Sequence, residues 1–143
     1  MVHLRTLGRV AILSDGDIVF QPRKIRRAGL WDAVDGQVLV YVHKERMLDA
    51  VQRRFPARHY VMVDDKPHLL AAMKRVLGER LTTVFVRQGH YAAATARTVI
   101  EPAPDLSIGR IGELCGMARS DFRPGAPAAA DAPSFRIAAP EAS

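Results

Sequence analysis

Hydrophobic positions gather in four short runs, Arg9–Ser14, Gln37–Val42, His59–Val63 and Leu81–Val86. The runs are rich in β-branched residues and lack polar alternation, so they predict strands buried on both faces of a parallel sheet. Between them, apolar residues recur three or four positions apart, which predicts helices over Pro22–Gly29, Glu45–Phe55 and Pro67–Gly78. The last places Leu69, Leu70, Met73, Val76 and Leu77 on one face and stops at Gly78. Strand and helix alternate in the order βαβαβαβ, which predicts an α/β domain. Ser107–Met117 predicts one more helix, capped by Ser107, with Ile108, Ile111, Leu114 and Cys115 packed back on the sheet. Cys115 is then a small core residue. From Asp121 to Ser143 the periodicity ends, and Ala and Pro make up twelve of 23 residues. This divides the chain into an α/β core, residues 1–120, and a disordered Ala/Pro-rich tail, residues 121–143.

Composition narrows the function classes. A chain of 143 residues, 48% hydrophobic and 25% charged, has the make-up of one soluble globular domain and excludes a large two-domain enzyme. No apolar run is longer than the five residues of Val38–Val42, far short of the roughly 20 residues that cross a bilayer, and Met1 is not followed by a basic segment and an apolar stretch. The expectation is a cytoplasmic protein with no membrane partner. One cysteine can form neither an internal disulfide nor a thiolate metal site. The net charge of +6 raises the question of nucleic acid. The cations, however, spread from Arg5 to Arg136, in short groups such as Arg23-Lys24 with Arg26-Arg27 and Arg53-Arg54. With three Tyr and one Trp available for stacking, these read as solvated helix faces, and no nucleic-acid partner is expected. The five histidines lack zinc-ligand spacing; His43 and His90 lie close enough to strand ends to meet a ligand.

Ligands of open parallel sheets bind beyond the carboxyl ends of the strands, so polar residues there carry most of the information. The first strand ends in Ser14-Asp15-Gly16-Asp17, the second runs into His43-Lys44, and the third into Asp64-Asp65-Lys66. Taken singly, Ser14 reads as a helix cap and Lys44 as a solvated charge. Together, a hydroxyl, an ammonium and two carboxylates suit an anionic phosphoryl group beside a hard divalent cation.

In this order the residues resemble the haloacid dehalogenase superfamily of hydrolases, most of them Mg²⁺-dependent phosphatases. Ser14, ending its strand, matches the family's second motif, with Gln21-Pro-Arg-Lys24 and Ala28-Gly-Leu-Trp31 behind it. Lys44 matches the third motif, and Asp64-Asp65, twenty positions later, the fourth; Val84–Tyr91 resembles the strand and loop that follow. The resemblance spans about residues 4–117 and implies a Rossmann-like parallel sheet with flanking helices. It implies that Ser14 hydrogen-bonds the transferring phosphoryl group, that Lys44 stabilises its charge, and that Asp65 and Asp64 position Mg²⁺. The implied substrate is a small phosphorylated metabolite. Asp stands where glycine often precedes the principal acid, and Leu69 or Leu70 where a second acid is frequent, so the metal role falls first on Asp65.

The family's first motif, a strand ending in Asp-x-Asp, supplies the nucleophile and the general acid-base; only thirteen residues precede Ser14, too few for that strand, its helix and a cap. Asp15-Gly16-Asp17 has the spacing, which makes Asp15 an additional candidate, but Lys44 and the Gln21–Trp31 segment fall in place when Ser14 is the second motif. The chain then corresponds to the carboxyl-terminal part of the core, inactive by itself. In the family's strand order, 3-2-1-4-5, the missing strand is the central one. Direct pairing of the Ser14 and Asp64 strands, a strand from a homo-oligomer or complementing chain, and poor folding of the isolated chain all stay open. The alternative function is a non-catalytic phosphate-binding or interaction module. A receiver-like domain also fits Asp64-Asp65, but the Leu81–Val86 strand ends in Arg87-Gln88 rather than in a phosphoacceptor Asp.

Overall fold

The structure, a computed structural model, describes residues 1–15, 20–41, 43, 46–90 and 98–123, with the backbone alone at Asp15. They divide into two compact units, whose described parts are residues 1–57 and 58–123.

The first unit holds α1 (Val2–Leu7), β1 (Ile12–Asp15), α2 (Phe20–Arg27), α3 (Leu30–Ala33), β2 (Val38–Tyr41) and α4 (Leu48–Arg54). β1 and β2 pair in parallel, from Ile12 opposite Val38 to Asp15 opposite Tyr41. Ile12, Leu13 and Ser14 are all buried, as the unalternating pattern predicts. In α2, Gln21 and Ile25 lie four positions apart and form the inward stripe, while Arg23, Lys24, Arg26 and Arg27 stay exposed. Gly29 adopts the left-handed conformation (φ 69°) that lets the chain turn from α2 into α3. The Arg26 guanidinium stacks 4.3 Å from the centroid of the Trp31 ring. α1 carries no signal strong enough to be read from the sequence; it buries only Leu4.

The second unit holds β3 (Tyr60–Asp64), α5 (Pro67–Leu77), β4 (Leu81–Val86) and β5 (Leu106–Ile108), with 3-10 turns at Gly78–Arg80, Ile111–Gly116 and Arg119–Phe122. The sheet is parallel in the order β3-β4-β5, with Tyr60 opposite Leu81 and Val84 opposite Leu106. The fold class is thus α/β, parallel sheets with flanking helices, as the pattern predicts.

Several expectations need correction. Ser107 is not a helix cap: it sits mid-strand in β5, and the segment after it forms a 3-10 turn rather than an α-helix. Gly109, Gly112 and Gly116 weaken an α-helix there, and the Glu113 carboxylate accepts the Arg110 N–H at 2.7 Å, fixing a tighter turn. At three residues per turn, half-buried Ile111, buried Leu114 and the C-cap residue Met117 line up inward, and Cys115 falls off that line. Cys115 is accordingly an exposed free thiol, not a core residue. Val76 is 63% exposed because it lies at the margin of the α5 arc whose buried members are Pro67, Leu69, Leu70, Ala71 and Met73. Phe122 is buried in the second unit; the rest of the expected tail, residues 124–143, lies outside the described residues.

Candidate active site

Each expected site residue within the described part stands at or just beyond the carboxyl end of a parallel strand. In the first unit Ser14 is the third residue of β1, opposite Val40, and is fully buried. The backbone of Asp15 closes β1 opposite Tyr41. His43, exposed, follows β2 by two positions, and its carbonyl accepts the Arg46 N–H at 3.1 Å. Lys44, Gly16 and Asp17 lie outside the described residues.

In the second unit Asp64 ends β3 with a side chain only 1% exposed. Its Oδ1 accepts the Lys66 N–H at 3.0 Å, an Asx turn that swings the chain out of the strand. Pro67 then opens α5, where its fixed φ suits the first turn and its missing N–H costs nothing. The Lys66 carbonyl accepts the N–H groups of Leu69 at 3.1 Å and Leu70 at 3.3 Å, starting the helix. Asp65, half-buried, is held beside Asp64. Burial, then the Asp64 charge and a hydrogen bond from carboxyl to carboxyl, push the Asp65 acid above the ordinary carboxylate range. The structure therefore brings Asp64 and Asp65 together as an interacting pair. His90 follows β4, exposed. The turn-forming role of Asp64 went unread, although an Asp two residues before a Lys-Pro helix start is its signal.

Two adjacent carboxylates, one of them disfavoured as an anion, suit a small dication, which reverses the repulsion between them. Among the described residues no group of three or more His, Cys, Asp or Glu side chains could hold a metal.

Over 83% of its length the chain is similar to the crystal structure of a protein from Burkholderia xenovorans LB400 described as a haloacid dehalogenase-like hydrolase, with 58% sequence identity and a TM-score of 0.78. This supports the haloacid dehalogenase superfamily. The chain spans about half, 54%, of the length of that haloacid dehalogenase-like relative. No family model and no curated protein matches the sequence. The haloacid dehalogenase-like α/β fold agrees with the Rossmann-like sheet that the motif order implies. No described helix is long and apolar enough to cross a membrane.

Proposed function

We propose that the chain contributes the phosphate- and Mg²⁺-binding part of a phosphomonoester hydrolase that works through an aspartyl-phosphate, with a small phosphorylated metabolite as substrate and the cytoplasm as its location. The observation that carries this reading is the pair Asp64-Asp65 at the carboxyl end of β3, in a chain 58% identical to a haloacid dehalogenase-like hydrolase. Ser14 donates its hydroxyl hydrogen bond to a phosphoryl oxygen from the carboxyl end of β1. Lys44 supplies the ammonium that balances the phosphoryl charge. Asp65 is the principal metal carboxylate, and Asp64 adds its charge while holding the turn through the Lys66 N–H. Mg²⁺, when bound, draws charge from the phosphoryl oxygens. The nucleophilic aspartate comes from a strand outside these 143 residues.

The test is turnover of p-nitrophenyl phosphate with Mg²⁺, alongside thermal denaturation with phosphate and Mg²⁺. The expected result is no turnover by the chain alone, with a Mg²⁺-dependent rise in Tm that Asp65→Asn removes. Turnover that Asp15→Asn abolishes makes Asp15 the nucleophile and overturns the assignment of Ser14. Phosphate stabilisation that persists when a nucleophile-bearing chain is added without turnover moves the protein to the non-catalytic phosphate-binding reading.

A further inference from the structure

At the amino end of β1, the first unit has a crevice of about 270 Å³, with Val10 and Val34 as its apolar walls and Arg5 and Arg9 among its lining side chains. Each guanidinium group has a hydrogen-bond partner within the unit. The Arg5 Nη2 group donates to Asp35 Oδ2 at 2.5 Å, and the Arg9 Nε–H donates to Gln37 Oε1 at 2.5 Å. Gln37 is fixed in turn, since its amide donates to the Val34 carbonyl at 3.2 Å. Arg9 also lies 5.3 Å over the Phe55 ring. Asp35 reaches Arg5 from a left-handed turn, with φ 53° at Asp35 and 69° at Gly36, a conformation Asp tolerates better than most residues.

A guanidinium has five N–H donors, so each arginine keeps donors beyond the one its partner uses. Arg9, bound through Nε, keeps both Nη groups, the fork that takes a carboxylate or phosphate in two parallel hydrogen bonds. The Gln37 bond and the Phe55 ring restrict the Arg9 side chain, which reduces the entropy cost of binding. Two arginines against one aspartate leave a net charge of +1, which selects a single anionic group. The volume suits a small molecule. Val10 precedes Ser14 by four residues, roughly 13 Å along an extended strand, so the crevice is separate from the candidate phosphoryl site and does not depend on its assignment.

We propose that this crevice is a binding site for a small organic acid, held by its oxyanion head between Arg9 and Arg5. The probes are inorganic phosphate and acetate, titrated into the full chain at constant ionic strength set by chloride and followed by amide NMR. Saturating shifts are expected at Gly8, Val10, Gly36 and Gln37, separate from any at Ser14. The tighter of the two probes assigns the head as phosphate or carboxylate. Arg9→Gln weakens binding by about tenfold or more, the size of a lost charged hydrogen bond, and Arg9→Lys recovers only part of it. Gly8, in extended backbone (φ 173°), lines the crevice and would place a Cβ within 4 Å of nothing. Gly8→Leu adds an uncharged side chain at the lining and is expected to obstruct the crevice. Arg23→Gln, on the exposed face of α2, leaves the midpoint unchanged. Linear, non-saturating shifts overturn the proposal, as does a midpoint that Arg9→Gln and Gly8→Leu leave within about twofold of wild type.

Discussion

Replacing Asp105 with alanine removes one oxygen that three donors share. Asp105 Oδ2 accepts the Thr83 N–H at 2.7 Å, the Thr83 hydroxyl at 3.0 Å and the Lys74 ammonium at 2.9 Å. The exchange is reciprocal, because the Asp105 N–H donates to Thr83 Oγ at 3.0 Å. Thr83 is 1% exposed, so its N–H loses its partner where water cannot replace it, a cost of about 1–3 kcal/mol. The ion pair to Lys74, with side chains 17% and 35% exposed, adds about 1 kcal/mol at most. Lys74 keeps its other acceptor, the Leu81 carbonyl at 2.5 Å, which limits that part of the loss. Because the donors share one atom, their losses do not add fully, and Asp105→Ala is expected to destabilise the second unit by about 3 kcal/mol. That corresponds to a fall in Tm of roughly 10 °C. Asp105→Asn retains an acceptor for Thr83 and should cost about 1 kcal/mol. The assay is urea denaturation combined with amide exchange at β4 and β5. Equal effects from the two variants, or a loss below about 1 kcal/mol for alanine, would show that the oxygen is not the connection between β4 and the segment entering β5.

Other outcomes test other parts of the molecule. The Asp65 acid titrates above its ordinary range, so its contribution to stability is full below the unfolded value and is lost as pH rises through the raised one; without Mg²⁺, Asp65→Asn should melt above wild type at pH 7, with the gap closing towards pH 4. His59 is shifted down, first by burial and then by Lys74, so its contribution is present above the ordinary 6.5 and lost as pH falls through the lowered value. A Tm profile between pH 7 and 5 should therefore be flatter for His59→Gln, and an unchanged slope would remove His59 from the account. Gly36→Ala should destabilise by about 1–2 kcal/mol in urea denaturation, because φ is 69° and the new Cβ would stand 3.2 Å from Trp31 Nε1. Val76→Ala should change stability by less than about 0.5 kcal/mol, whereas Leu70→Ala, fully buried on the same helix, should cost about 3 kcal/mol.

Much of the fold is legible because strands buried on both faces announce themselves as unbroken apolar runs. Tyr60–Asp64 and Leu81–Val86 emerge within a residue of their bounds, and Asp64-Asp65 follows directly as the polar pair at a strand's carboxyl end. The region from Ser107 to Met117 misleads for a physical reason. Apolar residues three apart satisfy both the α-helix and the 3-10 period, and a three-residue strand is too short to show a period at all. The exposure of Cys115 follows from that choice of period. The part Asp64 plays in the turn is local hydrogen bonding, which hydrophobic patterning does not register. Asp105 offers no pattern either, since its partners Thr83 and Lys74 are 22 and 31 residues away in the chain.

Two neighbouring threonines at the start of β4 fasten segments made much later. Thr83 takes Asp105, and Thr82, whose hydroxyl oxygen accepts from His59 at 2.8 Å, donates to the Phe122 carbonyl at 2.8 Å. Both threonines are buried, so neither can wait in the closed unit with water in the partner's place. As the chain leaves the ribosome, these two buried bonds are therefore still missing when β4 itself has been made. The second unit's last fastening forms when Phe122 arrives, 40 residues after Thr82, and until β5 has been made the edge of β4 that it covers is open to pairing with other chains.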